Sequence, residues 1–154
     1  MVLSWERGVL GTYEMEIDQE LAEIGLRAAQ GKGKDLGAIV SVAVVDKAGR
    51  PALFVRGDGR GAFSAEMVVG RTVAAVAMRR RTCEVGDSAA DHYRGLVQAG
   101  LVQGPFAVVP GATPIAHNGR VIGAVGCGGG TSEQDQECAD AGAAAIEAVY
   151  ANRG

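Results

Sequence analysis

The sequence predicts an α+β domain: a mostly antiparallel five-stranded sheet with helices packed on it. Three observations predict it. Apolar residues repeat at helical spacing in some segments (Ile17, Leu21, Ile24, Ala28) and run continuously in others (Ala38 to Val45). Asn118-Gly119 stands between two apolar runs, the strongest short-range signal for a two-residue hairpin. The segments follow in the order helix, two strands, two helices, three strands, helix. Strands that come in adjacent groups pair most simply as antiparallel neighbours.

The first helix carries Ile17, Leu21, Ile24 and Ala28, and Gly31 is placed to end it. Ala38 to Asp46 reads as a buried strand, Lys47 to Arg50 as a turn, and Pro51 to Arg56 as the returning strand. Gly57 to Gly61 is a glycine-rich loop. Ser64 is placed to cap a helix with Met67, Val68, Ala74, Ala75 and Met78 on its apolar side. Ser88 is placed to cap a shorter helix bearing Tyr93, Leu96 and Val97. Phe106 to Val109 reads as a short strand, followed by the Asn118-Gly119 hairpin. Val121 to Cys127 is its second strand, interrupted by glycines. Gly128, Gly129 and Gly130 then permit close approach of a ligand or a neighbour, because no Cβ intervenes. Thr131 or Ser132 caps the terminal helix, whose buried stripe is Cys138, Gly142, Ala145, Ile146 and Val149. Backbone amides at that helix start are suited to an anion.

Length and composition narrow the function. A chain of 154 residues that is 47% hydrophobic is read as one globular domain over residues 17–154, preceded by an arm over residues 1–16. Trp5, Val9 and Leu10 give the arm something to pack with, such as another subunit. The net charge of −3 gives no electrostatic case for nucleic acid, and Arg79-Arg80-Arg81 reads as a solvated helix end. No signal peptide and no membrane-length apolar run is seen, so a cytoplasmic location is expected. Cys83, Cys127 and Cys138 form an odd set without CxxC spacing, which suggests neither a disulfide framework nor a structural zinc site.

Several blocks in shared order resemble the GlcG/HbpS-like family, which includes the C-terminal domain of PduO-type proteins. They are SVAVVDKAG at Ser41 to Gly49, VRGDG at Val55 to Gly59, SAEMVVGRT at Ser64 to Thr72, and Thr82. Then come TPIAHNGRVIGAVG at Thr113 to Gly126 and EQDQECADAG at Glu133 to Gly142. The resemblance covers about Ile17 to Tyr150. It implies an α-β-α layered domain, homodimers or higher oligomers, and a small-ligand pocket, with haem or another tetrapyrrole as a ligand of some relatives. The chain departs from the family pattern at three places. Arg71 stands at the usual lysine, Ala74 at the usual later threonine, and Cys127-Gly128 at the usual valine-serine pair.

Chemistry-bearing residues fall into groups. Arg56, Asp58, Glu66 and Arg71 cluster around one loop and the helix after it. They read either as an arginine grip on a ligand carboxylate with a carboxylate base, or as structural ion pairs. His92 and His117 are the two histidines, each able to ligate iron or move a proton near neutral pH. His117 also reads as an exposed hairpin residue, and His92 as one lining a pocket near Thr82-Cys83. Cys83 follows three arginines, which favours a thiolate; the alternative is a small side chain at a helix end. Cys127 either lines a pocket or packs, and Cys138 belongs to the core. Glu133 and Asp135 suit the dipole of the last helix.

Two functional readings follow. One is a small-ligand-binding protein, with Arg56, Arg71, Thr82, Cys83, Cys127, Gly128 and Gly129 at the ligand and haem as the cofactor suggested by resemblance. The other is a cofactor-independent isomerase, lyase or cyclase, with His92 as acid-base group, Glu66 or Asp58 assisting, and Arg71 orienting an anionic substrate. A purely structural assembly subunit is a third reading, and it leaves the glycine run unexplained.

Overall fold

The computed structural model describes residues 16–153. The arm expected over residues 1–16 lies outside them except for Glu16. Among the described residues, four helices surround one four-stranded antiparallel sheet. Helix α1 (Gln19–Asp35) leads into β1 (Ser41–Asp46) and β2 (Pro51–Val55). Helix α2 (Ser64–Met78), a 3-10 turn (Thr82–Glu84) and α3 (Asp87–Gln98) follow. The hairpin β3 (Ala112–His117) and β4 (Arg120–Gly128) precedes α4 (Ser132–Ala151). The strand order is β2-β1-β4-β3.

Alternation along the strands sorts the core into two faces. Val42 and Val44 of β1, with Val125 and Cys127 of β4, pack against Leu21, Ala22 and Ala29 of α1 and Cys138, Ala139 and Ile146 of α4. Val45 and Ala124 point the other way, onto Ala75 of α2. On that second face β4 is nearly bare. A Cβ on Gly126 would sit 1.8 Å from Thr72 Oγ1, and one on Gly128 would sit 2.8 Å from Val68 Cγ2. The glycine spacing of β4 is therefore what lets α2 lie close on the sheet. The hairpin has the expected turn: Asn118 and Gly119 both have positive φ, 50° and 74°, as a type I′ connection requires.

Four expectations need correction. Among the described residues the sheet has four strands, because Phe106 to Val109 pairs with none of them. Gly70 admits this segment against α2, where a Cβ would meet Phe106 N at 3.2 Å, and Ala107 N–H donates to the Gly70 carbonyl. The segment thus gives its amide to a helix rather than to a ladder. Helix α1 runs past Gly31 to Asp35. Its terminator is Gly37 (φ 73°), with Gly37 N–H donating to Lys34 O and Ala38 N–H to Gly33 O, a Schellman closure. Neither Ser64 nor Ser88 caps its helix; Phe63 and Gly86 occupy those positions. Ser64 Oγ instead donates to Ser41 Oγ at 2.6 Å, tying the start of α2 to β1. Thr131 does cap α4: its hydroxyl accepts from Gln134 N, and Gln134 Oε1 accepts from Thr131 N.

Candidate functional site

The elements converge where β4 ends and the glycine run begins. Arg71, buried on α2, directs Nη1 at three acceptors: Cys127 O at 2.8 Å, Pro110 O at 3.1 Å and Asp135 Oδ2 at 3.1 Å. Asp135 is buried too, and its Oδ1 accepts from Gly130 N at 2.8 Å. One arginine and one aspartate thus clamp the glycine run between α2 and α4. Asp135 was expected to serve only the helix dipole; the structure makes it the counter-ion of Arg71 as well. Its neighbour Glu133 is exposed. Gly129 has φ 129°, a region that favours glycine, and a Cβ there would meet Ile39 O at 2.6 Å and Arg60 Cδ at 2.8 Å.

Two open clefts flank this junction, and the Arg60 side chain lies between them. Its stem runs past two glycines: a Cβ on Gly57 would meet Arg60 Cγ at 3.1 Å, as one on Gly129 would meet Cδ. Arg60 Nη1 donates to Gly129 O at 2.8 Å. On one side, a cleft of about 410 Å³ is lined by Lys34, Ile39, Val40, Val55, Arg56 and Asp58 among others. Its lining is apolar at Ile39, Val40 and Val55 and charged at Lys34, Arg56 and Asp58. On the other side, a cleft of about 500 Å³ is lined by Arg60, Phe63, Ser64, Met67 and Gly129.

The site residues expected from sequence are distributed over these places. Arg56 and Asp58 share the first cleft. Gly129 borders the second, while Arg71, Cys127 and Gly128 are buried behind it. Glu66 is exposed on the first turn of α2 and forms no ion pair with Arg71 or any other described residue. Thr82 is buried away from both clefts, its hydroxyl accepting from Ala112 N at 3.0 Å. His92 is exposed on α3, edge-on to Tyr93, and no hydrogen bond joins it to Glu66 or Asp58 among the described residues. A third cleft lies beside it, between Tyr93, Val97 and Phe106. His117 stacks edge-on to Tyr150 with ring centroids 4.8 Å apart, and its Nε2 lies 3.1 Å from Asn118 Nδ2.

Burial acts against a thiolate at each of the three cysteines. Desolvation raises the Cys83 thiol above its ordinary value; Arg81 opposes this, while Glu84 and Asp140 add to it. Of the two readings of Cys83, the desolvated thiol agrees with the small side chain at a helix end rather than with the thiolate. Arg81 Nε donates to Asp140 Oδ1 at 3.0 Å and Nη2 to Oδ2 at 2.6 Å, so the last arginine of the run is not simply a solvated helix end. Burial drives Cys127 well above the ordinary thiol range and Cys138 up to about 11. Among the described residues no cluster of three metal-ligating side chains occurs. No described helix is long and apolar enough to cross a membrane.

Sequence reading missed Arg60, Lys34 and Ile39. For Arg60 a signal existed: an arginine flanked by Gly59 and Gly61 sits in a loop that can place it freely. For Lys34 and Ile39 none did, because their meeting with Arg56 depends on how α1 closes.

Comparison with known proteins places this architecture. A protein of Klebsiella pneumoniae, ORFY, has a crystal structure that superposes with a TM-score of 0.76 at 26% identity, covering 91% of this chain and 97% of that one. The crystal structure of a PduOC:heme complex superposes with a TM-score of 0.72 at 26% identity, covering 84% and 94%. A 15.0 kDa protein of Citrobacter freundii, described as uncharacterized and encoded between dhaT and dhaS, is 32% identical over 136 residues, 82% of this chain and 94% of that protein. The model of the family described as "Haem degrading protein HbpS-like" matches residues 17–144, and the chain belongs to that HbpS-like family.

Proposed function

We propose that this protein binds a small, flat, largely apolar acid, and that a tetrapyrrole is the first ligand to try. The observation that carries the reading is the first cleft, whose lining sets Ile39, Val40 and Val55 beside the cations Lys34 and Arg56, with Asp58 also present. Such a cleft suits an apolar body that carries carboxylates. Membership of the HbpS-like family and the likeness to the PduOC:heme complex support the same class of ligand.

Haem makes three demands: an apolar wall, cations for its carboxylates, and a ligand for its iron. The cleft meets the first two. Among the described residues its lining holds no histidine, cysteine, methionine or tyrosine. The residues therefore fit the macrocycle and its carboxylates, and they do not fit an iron held by a strong axial side chain. The binding energy in this reading comes from ring burial and charge, with Lys34 and Arg56 meeting carboxylates and Ile39 and Val55 excluding water. Self-association belongs to the same proposal, supported by large exposed apolar side chains such as Leu101, 74% exposed.

Titration of the full chain with hemin and with metal-free protoporphyrin IX tests this. Both are expected to bind with similar affinity. Lys34→Gln combined with Arg56→Gln is expected to weaken each by about tenfold or more. Absence of binding by either compound overturns the reading. So does tight binding of hemin without protoporphyrin, which would require an iron ligand not found among the described residues of this cleft.

A further inference from the structure

Among the described residues, Arg60 is held in place without a counter-charge. The other arginines fixed by contacts distant in sequence have carboxylate partners: Arg71 with Asp135, Arg81 with Asp140, Arg120 with Glu16 and Arg153 with Asp18 and Glu20. Arg60 forms no ion pair among the described residues. Its single hydrogen bond is from Nη1 to the carbonyl of Gly129, and its Nε is buried with no partner. Yet the side chain is seated firmly, its Cγ and Cδ fitted against Gly57 and Gly129, where no Cβ could be accommodated without a shift. Ordering a long side chain costs rotamer freedom. An unpaired guanidinium fixed at the wall of an open cleft is suited to an anion from outside the chain.

The rest of that cleft describes what the anion is attached to. Phe63, 77% exposed, and Met67, 50% exposed, stand beside Arg60 with nothing described covering them. Ser64 Oγ is already committed to Ser41. Among the described residues the lining thus combines a cation without an ion pair, an aromatic ring and a thioether, a set that recognises an apolar group bearing a single negative charge. We propose that the cleft between Arg60, Phe63, Met67 and Gly129 is a binding site for an aromatic monocarboxylate, separate from the Lys34–Arg56 cleft across the Arg60 side chain. Arg60 takes the carboxylate through Nη2, which donates to no described residue, and Phe63 and Met67 flank the ring.

The test uses 2-naphthoate as probe and 2-naphthylmethanol as its neutral counterpart, followed by two-dimensional amide NMR on the full chain. Naphthoate is expected to shift the signals of Gly129, Phe63 and Met67, with those of Gly37 and Val55 unmoved. The alcohol is expected to bind about tenfold more weakly or worse. Arg60→Gln should weaken the acid about tenfold and leave the alcohol unchanged, while Arg60→Lys keeps part of the preference. Equal binding of acid and alcohol to the parent protein overturns the proposal, and that comparison needs no variant to fold. Shifts confined to Gly37 and Val55 overturn it too, and so does the absence of any shift at about ten millimolar acid. Failure here leaves the porphyrin titration untouched, since that reports on Lys34 and Arg56.

Discussion

Arg71 and Asp135, 64 positions apart in the chain, meet at 3.1 Å with both side chains about nine-tenths out of solvent. The pair joins α2 to the start of α4 and holds the glycine run between them through Gly130 N and Cys127 O. A buried pair of this kind is costly to break from one side, because the remaining charge has neither water nor partner.

Asp135→Ala is therefore expected to destabilise the fold by about 3–5 kcal/mol. Arg71 would be left facing two carbonyls, which cannot balance its charge. Replacing both members, Arg71→Met with Asp135→Leu, should cost less than Asp135→Ala alone, since no isolated charge then remains. Urea denaturation of the three proteins decides the matter. A double variant less stable than Asp135→Ala would mean that the pair fixes backbone geometry more than it balances charge.

The sequence made part of this architecture readable, and particular residues show where reading stopped. Asn118-Gly119 needed no tertiary information, because a type I′ turn demands positive φ at both places and few dipeptides supply it. Thr131 was equally legible, its cap being closed within three residues. Phe106 to Val109 was misread as a strand because the choice between a ladder and a helix carbonyl is made by Gly70, far away in sequence. Gly31 misled for a related reason: a glycine can pass through a helix when the closing positive φ is available six residues later at Gly37. The site was less legible than the fold. Arg71 was marked as important, but its partner could not be chosen among several carboxylates without knowing which helix crosses β4. Arg60 escaped attention because its value lies in being unpaired, and pairing is a property of the folded chain.

The second prediction concerns Gly126. Its missing Cβ is the closest helix-to-sheet approach in the molecule among the glycines, 1.8 Å from Thr72 Oγ1 and 3.0 Å from Thr72 Cβ. Gly126→Ala should destabilise by about 2–3 kcal/mol through overpacking. Thr72→Ala alone removes a hydroxyl that bonds back to Val68 O within the same helix, at 2.6 Å, and should cost about 1 kcal/mol or less. Combined, the two changes should couple favourably by about 1 kcal/mol, because the worst clash is with the atom that Thr72→Ala deletes. Thermal unfolding of the four proteins measures the coupling. Strict additivity would show that the strain at Gly126 is taken up by backbone movement and not by Thr72.

The third prediction is a pH dependence centred on Asp140. Partial burial would push this carboxyl up, but hydrogen bonds from Arg81, Thr113 and Gln136 outweigh it and hold the group below the ordinary aspartate value of 3.8. Thr113 Oγ1 is 2.5 Å from Oδ1, and Gln136 Nε2 is 3.2 Å from the same oxygen. A carboxyl with a lowered folded-state value contributes stability that is fully present above the unfolded value and is lost as pH falls through the folded one. The Asp140 and Arg81 side chains are each more than a third exposed, so solvent screening limits the contribution to about 1 kcal/mol. Asp140→Asn keeps the shape and removes the charge. The parent should be the more stable protein at neutral pH, and the gap should narrow as pH falls below the ordinary aspartate value and through the lowered folded-state value of Asp140. Other acid-labile groups such as Asp18, also held low by its bonds to Leu21 N–H and Arg153, act alike in both proteins and cancel in the difference. Chemical denaturation of the two proteins across that range is the measurement. A gap that stays constant down to the lowest pH would mean that Asp140 stabilises the fold by shape and hydrogen-bond count rather than by its charge.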